Sequence, residues 1–360
     1  MQKDAKHYFV YGNTAQGFIS KLATNLQGID NMVLFQGWPE AGKAGFMSLI
    51  AEECRNSGLK TEYLHCPSSP DALDGVIVPD LKLAVIDGTG LHYRRLVAPD
   101  PAAKYINTDP AFDAEKLRQA MDLIAEFDQS IGDFHENAFR RFRSALDVHD
   151  EWEKIYIENM DFSKADALAP AVIDMILGEN RLPKPTVIKE RFFGASTPAG
   201  ATDFIESLTG NISKRYLLKG RPGTGKSTLL RKILAASAER GLDAEVYFCA
   251  FDSKSLDMII WPELDKCLFD STAPHLYQPS RPSDEVIDMY EVCVKPGTDE
   301  KYEKELADIN RRYKATVQSG TEFLAKAKNR LDELLDIYNA AADPGEIRRL
   351  CAEVINRLRK

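Results

Sequence analysis

Apolar residues recur along this chain in two rhythms. Short unbroken runs, such as Tyr216-Leu217-Leu218, Leu83-Ala84-Val85-Ile86 and Cys267-Leu268-Phe269, read as buried strands. Between them lie stretches with a helical period. Residues 228–236 form an amphipathic helix that closes near Gly241, and its counterpart in the first half closes near Gly58, as C-terminal glycines predict. Aromatic strand-like runs at 7–11 and 187–193 open two similar series. Each continues through a glycine-bearing turn and a short helix, at 18–26 or 201–208. A core strand and a helix come next, then a strand at 61–66 or 244–250, a loop, and a further strand at 83–87 or 266–270. Strands alternating with helices predict an α/β fold with parallel, doubly wound sheets. Residues 113–160 and 299–340 are charged and helical in period. Leu306, Ile309, Tyr313, Val317, Leu324, Leu331 and Leu335 mark the stripe in the second. A helical hairpin or small helical subdomain is expected on each core.

The two series are a tandem duplication. An offset of 183 residues aligns Lys43 with Lys226 and pairs residues 62–92 with 245–275 without a gap. In that window 10 of 31 positions are identical, including Cys66/Cys249, Leu73/Leu256, Asp74/Asp257, Pro79/Pro262, Asp87/Asp270, Thr89/Thr272 and His92/His275. Chance at ordinary composition gives about two. The copies are read as residues 1–183 and 184–360. They join where Pro183 and Pro185 break the helical pattern.

Residues 220–228 carry the sharpest chemistry. Gly220-Arg221-Pro222-Gly223-Thr224-Gly225-Lys226-Ser227-Thr228 is a complete G-x-x-x-x-G-K-[ST] phosphate-binding loop between a strand and a helix. Gly220, Gly223 and Gly225 let successive backbone N–H groups point at phosphate oxygens, with Thr224 and Thr228 in the same cradle. Lys226 brings a point charge to the β- and γ-phosphates, and Ser227 a hydroxyl to Mg²⁺. The helix start adds its positive dipole end. ATP with Mg²⁺ is the expected ligand pair.

A second Mg²⁺-organising group belongs at the end of a neighbouring strand, and Asp270 closes such a run. A strand-end Asp capping a turn is the plainer reading. No Glu follows Asp270 directly, so the water-activating base is open. Asp252, Glu263 and His275 are candidates, each with a structural alternative as a turn cap, a surface residue or a hydrogen-bonded histidine. Arg281 is a weak candidate for charge stabilisation.

The first copy retains Gly37, Pro39, Gly42 and Lys43 but has Ala44 in place of Ser227, Gly45 in place of Thr228 and Glu40 in place of Gly223. The lost hydroxyl and the added negative charge predict weak or no ATP·Mg²⁺ binding there.

Laid out together, the copies resemble a bacterial family of duplicated P-loop ATP-binding proteins. The likeness rests on the loop at 220–228, on Leu73-Asp74-Gly75-Val76-Ile77-Val78-Pro79-Asp80-Leu81 with its twin at 256–264, and on the Asp87 and Asp270 segments. It spans nearly the whole chain. It implies two tandem P-loop NTPase domains with ATP binding, and it names no substrate.

Composition adds limits. Apolar residues make up 44% and charged residues 28%, as in an ordinary globular protein, and a net charge of −9 speaks against a nucleic-acid platform. The six cysteines form no C-x-x-C pair, which fits free thiols in a reducing cytosol. The N-terminus lacks a signal-peptide core and no apolar run is long enough to span a membrane. A cytoplasmic ATPase working from its C-terminal half is the leading expectation, with slow or partner-stimulated hydrolysis. A small-molecule phosphotransferase and a nucleotide-dependent scaffold, with a protein partner on the helical regions, remain open beside it.

Overall fold

The computed structural model describes residues 5–37, 44–88, 103–273 and 275–358. The first-copy loop positions Pro39, Glu40, Gly42 and Lys43, and also Thr89 and His92, lie outside the described residues.

The first copy runs β1 (Ala5–Tyr8), β2 (Tyr11–Thr14), β3 (Gly17–Ser20), α1 (Leu22–Asn25), β4 (Asn31–Gln36), α2 (Ala44–Asn56), β5 (Thr61–Cys66), β6 (Ser69–Val78), β7 (Leu83–Asp87), β8 (Lys104–Asn107), α3 (Ala114–Gln119), α4 (Met121–Glu158) and α5 (Phe162–Leu177). The second runs β9 (Ile188–Phe192), β10 (Gly194–Thr197), β11 (Gly200–Asp203), α6 (Ile205–Thr209), β12 (Lys214–Lys219), α7 (Lys226–Glu239), β13 (Ala244–Phe248), β14 (Leu256–Trp261), β15 (Lys266–Asp270), β16 (Glu285–Asp288), α8 (Met289–Cys293), α9 (Thr298–Lys301), α10 (Glu303–Ala341) and α11 (Pro344–Leu358). Each copy builds a six-stranded sheet, in the orders β1-β5-β6-β7-β4-β8 and β9-β13-β14-β15-β12-β16. The expected turn after each opening strand is part of a hairpin, β2–β3 or β10–β11, whose second strand takes the start of the segments expected to be helical at 18–26 and 201–208 and leaves only the short α1 and α6.

The sheets are mostly parallel, not wholly so. β6 and β14 run antiparallel to both neighbours. Sequence pattern assigned these residues to a loop. The reversal follows from connection length. Only residues 249–255 join β13 to β14, and a parallel crossover needs about a dozen. A single 3-10 turn, Pro262–Leu264, then returns the chain to β15.

The sheets are not doubly wound either. Helices cover one face of each, and the other faces pack on one another. Leu34, Leu64, Ile77, Ala84 and Ile86 of the first sheet share a core with Leu217, Tyr247, Met258, Ile260 and Phe269 of the second. Both faces of the central strands are therefore apolar, which is why they read as continuous runs.

The helical tails do not form separate subdomains on their own cores but join the two copies. α4 and α10, of 38 and 39 residues, lie antiparallel against each other, pairing Phe142 with Gly320 and Glu151 with Arg312. At 1.5 Å per residue each spans about 57 Å. The last helices are exchanged. α5 of the first copy packs on α7, with Val172, Ile176 and Leu177 in the core that holds Leu230 and Ile233. α11 of the second copy packs on α2, with Cys351, Val354 and Leu358 against Phe46, Met47 and Ile50.

One buried ion network fastens the halves. Arg191 is fully buried, with one guanidinium nitrogen 3.0 Å from Glu62 of the first copy and another 3.0 Å from Glu245 of the second. It also donates to Asn25 and Tyr247 and lies over the Tyr8 ring. Among the described residues no helix is long and apolar enough to cross a membrane.

Candidate functional site

The residues after β12 curl as their glycines allow. Gly223 and Gly225 hold φ of 78° and 84°, in the left-handed region that other residues avoid. A Cβ on Gly220 would run into the Thr224 hydroxyl and the Lys226 side chain, so the loop closes on itself there. Thr224 Oγ1 donates to the Arg221 carbonyl at 2.8 Å and fixes the turn. α7 begins at Lys226, with Leu229, Leu230 and Ile233 buried beneath the sheet's helical face, so its first N–H groups face the loop.

The neighbouring strand delivers the carboxylate. β12 pairs directly with β15 in parallel, with Leu218 opposite Asp270. Lys226 Nζ lies 3.6 Å from Asp270 Oδ2 and donates to the Arg221 carbonyl at 3.0 Å. The other oxygen of Asp270 accepts from the Thr272 backbone at 2.8 Å, so Asp270 caps the turn that follows it. Thr272 Oγ1 reaches the Gly220 carbonyl. Ser227 Oγ accepts from the Leu256 backbone at 2.9 Å, which ties the start of α7 to β14 and leaves the hydroxyl a second lone pair. Thr228 is exposed on the first turn.

Of the residues considered for the base, none stands free beside Lys226. Asp252 Oδ1 accepts from Lys254 N and from Gln16 Nε2 at 2.9 Å, so a first-copy hairpin residue holds it. His275 Nδ1 meets Asp203 Oδ2 at 2.8 Å, and its ring stands edge-on to Phe193. Glu263 pairs with Lys184 and caps Asp243 N beyond the end of β14, away from the loop. Arg281 donates to the Thr209, Gly210 and Ile212 carbonyls at the close of α6. The arginine at the loop is Arg221, which pairs with Asp299 and lies over the Tyr290 ring.

Two further groups belong to the site. Asp257 is buried on β14, in the strand next to Asp270. Burial first, and then the Asp270 charge, push its carboxyl up to about 7, against a hydrogen bond from the Cys249 thiol. Asp74 is likewise pushed up to about 7 by burial and Asp87. The acid pair thus persists in the copy whose loop has diverged. Identity of Asp74 and Asp257 across the duplication was the available signal.

The second group comes from the other copy. The end of α4 crosses the loop, and a Cβ built on Gly223 would lie 2.5 Å from the Glu153 carbonyl oxygen. Ligand-type atoms of His149, Asp150 and Glu153 sit within 4.8 Å of one another. Burial raises the Glu153 carboxyl, as do Asp150 and Asp252, while Lys226 and a hydrogen bond from the Gly223 backbone oppose the rise. Burial lowers His149. No local pattern in the sequence marks these residues, because they lie in a helix far upstream of the loop.

The residues fit a phosphate and a divalent cation. Inward-curling glycine backbone, one lysine and one strand-end carboxylate converge, with a hydroxyl at the first turn of a helix. No protein-family model, curated protein or solved structure matches this chain.

Proposed function

We propose that the chain binds a nucleoside triphosphate, ATP in the first instance, with Mg²⁺ at residues 220–228, and hydrolyses it slowly. One observation carries this reading: the ammonium of Lys226 and the carboxylate of Asp270 meet at 3.6 Å beside a loop whose Gly223 and Gly225 are in left-handed backbone. A strand-end aspartate beside a lysine is common. Together with a backbone that no bulkier residue adopts easily, at the start of a helix, it fits a phosphate site.

In this reading the N–H groups of 223–228 orient the phosphates and Lys226 neutralises them. Ser227 and Asp270 would hold Mg²⁺, which supplies charge compensation on the phosphate oxygens. Asp257, whose carboxyl is pushed up to about 7, adds no second negative charge beside Asp270 below that pH. The surroundings explain slowness. Asp252 and His275 are held by Gln16 and Asp203, and Arg281 is held at the end of α6.

The test is titration of Mg·ATP by calorimetry, with phosphate release followed in parallel. Lys226→Ala is expected to weaken binding at least about tenfold, the effect of roughly 1.4 kcal/mol of lost charge-assisted contact. Equal affinity of the variant and the wild type would sink the proposal.

A further inference from the structure

Resting on the nucleotide reading above, we infer that the end of α4 is a built-in cover for the phosphate loop, with Glu153 standing in for the phosphate until nucleotide displaces it.

The contact is close and comes from the opposite copy. The Glu153 backbone abuts Gly223 so tightly that a Cβ there would lie 2.5 Å from its carbonyl oxygen and 2.9 Å from its Cα. The Glu153 carboxylate lies near enough to the Gly223 backbone and to Lys226 for both to favour its charged form. An anion beside the loop backbone and the loop lysine does what a phosphate oxygen would do there. A triphosphate on the loop and this carboxylate compete for the same backbone and the same cation. Asp150 and Asp252, both near Glu153, make simultaneous occupancy more repulsive still.

The cover is latched. Tyr156, one turn further along α4, donates to Asp299 Oδ1 at 2.8 Å. Arg221, inside the loop, donates to Asp299 Oδ2 at 2.9 Å. Asp299 thus joins the covering helix to the loop it covers. Behind the cover, Trp152 stands edge-on to Tyr313 of α10, and His149 lies 3.8 Å from Glu153. Withdrawal of Glu153 therefore moves Trp152 against α10.

The experiment measures Mg·ATP affinity and turnover for the whole chain, for Glu153→Gln and for Tyr156→Phe, each also in a Lys226→Ala background. Tryptophan fluorescence is recorded through each titration, and circular dichroism checks that all variants fold. Glu153→Gln keeps the shape and removes the competing charge, and it is expected to tighten binding about tenfold. Tyr156→Phe frees the latch and is expected to tighten it about threefold. Both gains should vanish with Lys226→Ala, and wild-type fluorescence should change on titration. Unchanged or weaker binding in both variants, with Lys226 still required, overturns the cover and leaves the nucleotide site standing. Lost turnover at unchanged affinity in Glu153→Gln also overturns it and makes Glu153 a base. Absence of binding in every protein overturns the cover together with the nucleotide reading.

Discussion

Asp257→Asn isolates one buried proton. The carboxyl of Asp257 is pushed from an ordinary 3.8 in the unfolded chain up to about 7 in the folded protein. Between those values the folded protein keeps a proton that the unfolded chain has released. Stability therefore falls as pH rises through this window, and it levels off above about 7. Each unit costs about 1.4 kcal/mol, so this site alone removes roughly 2–3 kcal/mol between pH 5 and pH 8. Asparagine has nearly the same shape and no proton to lose. The variant should match the wild type closely at pH 5 and exceed it by roughly 2–3 kcal/mol at pH 8. Asp74 carries a similar loss in both proteins, so the difference reports Asp257 alone. Urea midpoints at both pH values, at one ionic strength, supply the numbers. Stability curves that stay parallel from pH 5 to pH 8 would refute a neutral, buried Asp257.

Arg191→Met leaves Glu62 and Glu245 buried without their shared cation, and it is expected to cost about 3–5 kcal/mol in chemical denaturation. Arg191→Lys should recover only part of that loss, because one ammonium cannot span both carboxylates. A chain ending at residue 342 lacks α11 and uncovers Phe46, Met47 and Ile50. Burial of Val354 and Leu358 alone is worth roughly 3–6 kcal/mol, so its melting temperature should drop by many degrees and recover when a peptide of residues 343–358 is added.

The loop and its flanks were legible because they are local. The run Tyr216-Leu217-Leu218, the glycines and Lys226 sit within a dozen residues, and each has a backbone or charge reason to be there. Asp270 was legible by a longer route, from the apolar run that it ends. β14 was not, since all six of its residues are buried and it shows no alternation, while Asp257 and Pro262 look like loop chemistry. Its direction follows only once the short connection from β13 is weighed. Glu153, Gln16 and Asp203 were out of reach for a different reason. Each acts on a residue far away in the chain, and single-residue identity carries no mark of such a neighbour. The exchange of α5 and α11 is invisible for the same cause, because either helix presents an apolar stripe that would suit either core.

That exchange also has a meaning in time. A chain leaves the ribosome from its N-terminus. α5 is made ahead of the sheet that it covers and is waiting when β12 and α7 emerge. α2 has the opposite fate, since its outer face is closed only by residues 344–358. The first copy is thus the first to be synthesised and the last to be finished. Throughout translation of the second copy Phe46, Met47 and Ile50 lack the cover that residues 344–358 later supply.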